Sequence, residues 1–516
     1  MKRPKITISS LKNFVSSKQF FVCVVLLLIV QSLWIAISSN YPMAFDEDFH
    51  VGLIKLYSEH LLPFWSAHPA GGDAFGALTR DPSYLYHYIF GLIYVPLNYV
   101  ISNFTAQIII FRTINIALLA LGLVLFRKLL LISKASPLVV NLTLLIFVLV
   151  PVVPLLGAQI NYDNLIIPLT AYSLILSLKF VESLKKNSLS VFLLLKLIAV
   201  CLFASLVKYA FLPIFLAIVI FVSVYTFKQY ASLSSFKDAL HKGWQAVGLS
   251  AKALLIILIL ILGVLAYERY GLNVSQYHKP VPDCGQVLSY DNCKAYGPWI
   301  RDYDFARNKV PNTDTSPLAY STRWLYGMWL RSFFAVSGKV SDFNVDGKVL
   351  NYQSKGPLYL PAISSVVFLV VGFILLAVKY RNIFHRYFTP AIALYSLSIV
   401  ITVAILWTTQ YQFFVKTTQP VAINGRYLFP VLPMLLLLIL LAYDLFIKST
   451  RLKTALVCVL IVCFIWGGGA MTYILRSNNS WYWSNSPFTP VYEFIQRNIG
   501  PFVPGNSNSI IFLRKA

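Results

Sequence analysis

Acidic residues are scarce in this sequence: 19 Asp and Glu stand against 43 Lys and Arg in 516 residues. Charged residues of both signs make up only 12% of the chain, about half the usage of a soluble domain. Hydrophobic residues make up 58%, so an ordinary water-soluble globule is excluded. The short alternating segments of a transmembrane β-barrel are also missing. There is no P-loop, no Gly-x-Gly-x-x-Gly opening a helix and no His-Glu-x-x-His, which argues against a nucleotide-linked substrate taken from the cytoplasm. No internal repeat is evident, which weakens an inverted-repeat transporter. The net charge of +24 does not indicate nucleic acid. The Lys and Arg residues are scattered through short loops between apolar runs, as the positive-inside rule expects, and form no basic stripe.

What the chain does have is apolar runs of roughly 20 residues from end to end, each able to cross a bilayer core of about 30 Å as a helix. The fold expected is an all-α polytopic membrane protein. The first run, Phe20 to Ile37, follows a basic leader (Lys2, Arg3, Lys5, Lys12, Lys18) and reads as a retained signal anchor with a cytoplasmic N-terminus. The stretch 84–101 is rich in aromatics and holds His87, Pro96 and Asn98, which suits an interfacial helix. Further crossings are expected at 108–126, 139–156, 165–181, 191–207, 211–227, 253–270, 358–378, 391–408, 427–446 and 455–475. That gives about eleven crossings by the span-length rule. The implied organisation is an N-terminal transmembrane core (1–270) with a first outer loop (40–107), an outer loop (271–357), C-terminal helices (358–475) and an outer tail (476–516). This is the layout of a multi-pass plasma (inner) membrane protein with an extracytoplasmic C-terminus.

Nearly all the carboxylates fall on the outer side of this map. Asp46, Glu47 and Asp48, with His50 close behind, follow the first run; carboxylates at a membrane edge are costly to dehydrate and tend to bind a cation or move a proton. Cys284 and Cys293 lie in the outer loop, where a disulfide persists; a zinc pair would need further ligands nearby. Cys23, Cys201, Cys458 and Cys463 fall in apolar runs and read as small core residues. Gly467, Gly468 and Gly469 read as close packing or a kink within the last run.

Five segments carry a resemblance. Asp46-Glu47-Asp48-Phe49-His50 resembles the Asp-Glu-x-His of the first outer loop in protein O-mannosyltransferases, with one residue inserted, and more broadly that of GT-C membrane glycosyltransferases. Asp81-Pro82-Ser83-Tyr84 resembles the segment that opens their interfacial helix. Asn161-Tyr162-Asp163 resembles their acidic second outer loop, and Lys208-Tyr209 an outer helix end. Asn424-Gly425-Arg426-Tyr427-Leu428-Phe429-Pro430 resembles a Gly-Arg-Tyr-x-x-Pro that opens a late helix.

The resemblance implies a GT-C-like bundle and transfer of a sugar from a polyprenyl-phosphate donor to a glycan, lipid or protein acceptor of the cell envelope, with inversion. Asp46 is then expected as general base, with Glu47 as runner-up or as the residue orienting the acceptor. Arg426 is expected on the lipid phosphate, with Tyr427 beside it. Lys208, between two apolar helices near the outer surface, needs an anionic partner, and Tyr209 follows it. Asp163 could bind sugar hydroxyls, help hold a divalent cation, or simply cap a helix. His50, Arg80 and His87 complete the substrate-binding set. No cofactor is assigned; a divalent cation stays open, and no metal ligand set is assigned. Two other readings stay open: a transporter or flippase of lipid-linked sugars, and a non-catalytic assembly factor on the same fold.

Overall fold

The computed structural model describes residues 8–43, 46–65, 67–230, 232–333, 338–340, 350–352, 358–465, 468–476, 481–483 and 486–502. The expectations placed on Lys2, Arg3, Lys5 and Gly467, on much of the loop between 334 and 357, and on the tail beyond 502 lie outside the described residues.

Among the described residues the chain is helical apart from one short ribbon. Helices α1 (Ile8–Ser16) and α2 (Lys18–Ser38) lead into a first loop carrying α3 (Glu47–Ser58) and α4 (Leu85–Val100). Next come α5 (Phe104–Ile132), α6 (Pro137–Leu149), α7 (Val152–Gly157), α8 (Asp163–Lys185), α9 (Val191–Val207), α10 (Leu212–Gln229), α11 (Leu233–Gln245) and α12 (Leu249–Ala266). A π-turn carries α12 on into α13 (Leu272–Tyr277). The long loop holds α14 (Cys284–Val287), α15 (Tyr290–Cys293), α16 (Gly297–Arg307) and α17 (Pro317–Phe333), then the antiparallel strands β1 (Gly338–Val340) and β2 (Leu350–Tyr352). The last helices are α18 (Tyr359–Arg386), α19 (Thr389–Thr417), α20 (Leu432–Phe446), α21 (Thr450–Ile465), α22 (Ala470–Arg476) and α23 (Thr489–Asn498).

Local chemistry sets several helix starts. Ser17, Asn103, Ser136 and Ser190 each accept a backbone N–H from the first turn of the helix that follows, satisfying a donor that would otherwise be orphaned. Among the described residues, seven helices are long and apolar enough to cross a membrane: those at 18–38, 104–132, 163–185, 209–229, 249–277, 360–386 and 389–417. Expected crossings at 139–156, 191–207 and 427–446 appear as the shorter apolar helices α6, α9 and α20. The protein is thus helical and polytopic, and α8 is the most enclosed of the long spans. α12 lies at the periphery, with Leu254, Ile257, Leu260, Ile261 and Val264 exposed, a face suited to lipid.

Two expected crossings are broken, and the breaks meet. Pro151 lacks an N–H and ends the run that would have been a single 139–156 helix. The run 455–475 divides into α21 and α22, with Gly469 at positive φ. Gly469 N donates to Leu149 O at 2.7 Å, Tyr473 OH to Pro151 O at 3.2 Å, and Ala470 N to the Gln31 side-chain carbonyl at 2.9 Å. Irregular backbone inside a bilayer persists only where protein groups satisfy it, and these contacts do so. A Cβ at position 469 would collide with Gln31, so glycine is required there on two counts.

One reading of the cysteines is corrected. Cys201 is buried, but Cys23 and Cys458 are exposed on the helix surfaces, because those helices turn part of their apolar faces outward.

Candidate functional site

The first outer loop is anchored by a buried ion pair. Arg112 on α5 donates to both oxygens of Glu47 at 2.8 and 2.7 Å, and neither side chain has any exposed surface. Arg112 also donates to the carbonyls of Ala36, Ser39 and Asn40. Glu47 accepts further N–H groups from Met43 at 2.8 Å and Ile160 at 3.3 Å. Every donor and acceptor of the pair is therefore occupied, which a buried charge needs to be tolerated. Glu47 has no free oxygen for an acceptor hydroxyl; it fixes the end of α2, the start of α3 and the turn before α8.

That anchor presents Asp46. Its backbone sits in the left-handed region (φ 68°), a conformation that costs most side chains energy and that Asp tolerates better than bulky residues. It occupies the N-cap position of α3, yet its carboxylate makes no capping bond. It pairs instead with Arg426, Nη2 to Oδ2 at 2.9 Å, across 380 residues. The Asp46 side chain is 56% exposed while that of Arg426 is 9% exposed. Arg426 lies in the turn between α19 and α20, where Asn424 accepts its backbone N–H. Gly425 allows this turn to lie against α17: a Cβ there would collide with Ser332 and meet Met328 O at 2.9 Å.

A second ion pair stands beside the first. Lys208, at the end of α9, binds Asp163 at the start of α8, and both side chains are 5% exposed. The other oxygen of Asp163 is buried with no hydrogen-bond partner among the described residues. The centroid of the Tyr427 ring lies 5.5 Å from Lys208 Nζ and 5.4 Å from Arg426 Cζ, so both cations adjoin one aromatic ring. Tyr162 covers Lys208 from another side, 4.3 Å from Nζ to ring centroid. Arg426 feels the charge of Asp163 as well as that of Asp46. Two carboxylates and two cations from four distant segments thus form one cluster.

Two histidines close its flank. His50 Nδ1 and His87 Nε2 are 2.8 Å apart, and the rings stack with Tyr162 edge-on to both. Burial pushes His87 down to about 3. Burial, then His87, Arg426 and Lys208, hold His50 well below its ordinary value. Both shifts favour neutral imidazoles, and across the short contact one ring donates its N–H to the other. Asp48 is pushed up to about 6, first by burial and further by the charges of Asp46 and Glu47, against hydrogen bonds from the backbone.

Of the other residues singled out from the sequence, Tyr209 donates its backbone N–H to Ser83 at 3.0 Å and joins α10 to the first loop. Arg80 is placed elsewhere: it faces Glu268 and its carbonyl at 3.6 and 3.3 Å, tying the loop to the end of α12. Arg269 is buried on the same side and donates to the carbonyls of Leu78, Thr79 and Pro63. Cys284 and Cys293 are joined as a disulfide. Among the described residues no three His, Cys, Asp or Glu side chains converge as a metal site. A cavity of about 470 Å³ bordered by Ser188, Asp238 and Lys242 lies between α9 and α11, at the far end of α9 from Lys208, and contributes nothing to this cluster.

Sequence reasoning missed Arg112 and Arg331, and gave Tyr162 no role of its own. Arg112 carried a signal, since an arginine inside an apolar run requires a partner. Arg331, at the end of α17, donates to Ile423 O at 2.5 Å, three residues before Arg426, and nothing local in the sequence announces that contact. No protein-family model, curated protein or solved structure matches this chain.

Proposed function

We propose that this chain is a GT-C-type membrane glycosyltransferase. It transfers a sugar from a polyprenyl-phosphate donor to a cell-envelope acceptor on the extracytoplasmic side of the plasma membrane. The reading includes about eleven crossings: the seven long spans, the three shorter apolar helices and the broken pair α21–α22. The N-terminus is cytoplasmic and the C-terminus outside.

The observation that carries this reading is the convergence of Asp46, Asp163, Lys208 and Arg426 at helix ends, where a lipid headgroup could reach them. The residue types suit the chemistry. The acceptor oxygen attacks the anomeric carbon, forming the new glycosidic bond, while the bond from that carbon to the phosphate oxygen breaks. The acceptor proton passes to Asp46, the most accessible carboxylate of the cluster. The electron pair leaves with the polyprenyl phosphate, whose added charge is offset by Arg426 and Lys208, cations already held in a partly dehydrated place. In-line attack inverts the anomeric centre. Glu47 acts through Arg112 as a positioning residue. Asp163 holds Lys208 and offers its remaining oxygen to a sugar hydroxyl. No step is routed through a metal.

The test is transfer by the purified full-length protein in lipid nanodiscs, supplied with labelled polyprenyl-phosphate sugars. Asp46→Asn should lower turnover by roughly 10²–10⁴-fold, the contribution of a positioned base. Arg426→Ala should lower it by roughly 10²–10³-fold, as for loss of one group that stabilises developing charge. Full activity of Asp46→Asn would remove Asp46 from the chemistry. A wild type inert towards every donor would favour the non-catalytic reading of the fold.

A further inference from the structure

The turn between α8 and α9 and the helix α11 border a cavity of about 470 Å³, within the usual range of small-molecule sites, roughly 300–1,000 Å³. It lies at the start of α9, whose 17 residues set it about 25 Å from Lys208 at a rise of about 1.5 Å per residue. Its walls are held in place. Asn187 has φ 54°, and its side chain accepts from Gln229 Nε2 at 2.6 Å. Ser188 N donates to Ser183 O at 3.0 Å, so the turn is tied to the ends of α8 and α10. Gly243 seats α11 on this turn, since a Cβ there would collide with the Leu189 carbonyl oxygen. Asp238 and Lys242 line the cavity from α11, and Asn187, Ser188 and Ser190 line it from the turn. Asp238 and Lys242 are four residues apart on one helix, the spacing at which a carboxylate and an ammonium can pair. Glu182 and Lys186 do so at 3.0 Å, whereas Asp238 and Lys242 form no ion pair among the described residues. One acid and one base therefore stand open on the same wall.

We propose that this cavity binds the headgroup of a zwitterionic phospholipid that carries a primary ammonium, a phosphoethanolamine group, with Asp238 taking the ammonium and Lys242 the phosphate. The inference stands apart from the glycosyl-transfer reading. α11 joins two helices long and apolar enough to cross a membrane, at 209–229 and 249–277, so it lies where bilayer meets water. Its Leu233 and Trp244, and Leu249 beside it, are exposed, as in a helix that rests in the headgroup layer. Lys252 Nζ stands 5.2 Å from the centroid of the Trp244 ring. These exposed apolar side chains favour a lipid over a soluble molecule with the same charges, because acyl chains can cover them. The two charges select the headgroup. A purely anionic headgroup would leave Asp238 unanswered. A quaternary ammonium has no N–H to donate to a carboxylate, whereas a primary ammonium has three. The hydroxyls of Ser188 and Ser190 can donate to the phosphate beside Lys242.

The experiment uses the full chain in nanodiscs of mixed phosphatidylcholine, phosphatidylethanolamine and phosphatidylglycerol, and identifies by native mass spectrometry the lipids retained on the released protein. The wild type should retain phosphatidylethanolamine over either of the others by about fivefold, the scale of one partly exposed ion pair. Asp238→Asn should abolish that preference and leave phosphatidylcholine retention unchanged. Lys242→Gln should lower retention of phosphatidylethanolamine and phosphatidylcholine alike, since both carry the phosphate. Lys237→Gln, on α11 but outside the cavity lining, should change nothing. All three side chains are exposed, so the variants should keep the wild-type unfolding midpoint. Equal retention of phosphatidylethanolamine and phosphatidylcholine by the wild type, or a preference that survives in Asp238→Asn, would overturn the headgroup assignment. Equal effects of Lys237→Gln and Lys242→Gln would mean attraction to a basic surface and would overturn the cavity as the site. Displacement of the retained lipid by an equimolar amount of soluble phosphoethanolamine would overturn the lipid as the source of the group.

Discussion

Asp46 and Asp48 are two residues apart and fare differently. Asp46 gives up an ordinary capping role and meets Arg426; Asp48 turns inward, with one carboxylate oxygen buried and unpartnered among the described residues. The consequence for Asp48 can be worked out in sign. Its folded-state value, about 6, lies above the ordinary carboxylate value of 3.8, so between these limits the folded protein binds more protons than the unfolded one. Stability therefore falls as pH rises through that window and stays lower above it. Asp48→Asn removes the buried charge. It should raise stability at pH 8 by up to about 3 kcal/mol, since each tenfold difference in proton affinity between the folded and unfolded chain is worth about 1.4 kcal/mol. The gain should fade below pH 5. Thermal unfolding at pH 5 and pH 8 checks this; an equal effect at both would show that Asp48 titrates normally. At this scale the sequence was partly legible. Arg426 and Asp46 stood out because charges at the edges of apolar runs are conspicuous. The occupation of Glu47 was hidden because its partner lies 65 residues away on the inner face of α5, and no local pattern encodes that pairing.

Besides sharing one apolar core, elements are joined at this site by single polar side chains. Arg112 is the strongest case, since it binds Glu47 on α3 and three carbonyls at the end of α2 while belonging to α5. Removing it leaves a buried carboxylate and orphaned carbonyls together. Arg112→Ala should cost about 3–5 kcal/mol, the usual result of breaking a buried pair from one side. Glu47→Gln should cost less, because it keeps an acceptor for Arg112. Replacing both by methionine should not restore stability, because the carbonyls of Ala36, Ser39 and Asn40 still lose their donor. Denaturant-driven unfolding in mixed micelles would measure the series, and recovery by the double variant would mean those three hydrogen bonds carry little. Element boundaries were legible where the chain supplies its own punctuation, as at Ser17, Ser136 and Ser190. The division of 139–156 at Pro151 was not expected, although the proline that causes it stands in the sequence. What could not be read was that the freed carbonyls of Leu149 and Pro151 would be answered by Gly469 and Tyr473, a match made only by packing.

Across the whole molecule, residues assigned to one membrane face by Lys and Arg content contact others assigned to the same face. Phe388 N donates to Ser133 O at 3.0 Å, and Lys134 and Lys185 both lie over the ring of Phe388. Nearby, Asn141 donates to Val15 O and Ser17 O. All of these belong to the end expected in the cytoplasm. At the other end Asp46 meets Arg426, Asp163 meets Lys208, and Ser39 pairs with Tyr482. The grouping follows from helices that run back and forth across one thickness. The orientation proposed for the two ends rests on charge, since loops rich in Lys and Arg are retained in the cytoplasm. Single cysteines placed at exposed positions test the orientation in intact cells, on a chain whose unpaired cysteines are first replaced and whose disulfide is kept. Cysteine at Asp291 or Lys279, beside the proposed site, should react with a membrane-impermeant maleimide added outside. Cysteine at Lys186 or Lys237 should react only after the membrane is opened. The reverse pattern would put Asp46 and Arg426 in the cytoplasm and end the case for an extracytoplasmic lipid-linked donor, while leaving the helix packing untouched.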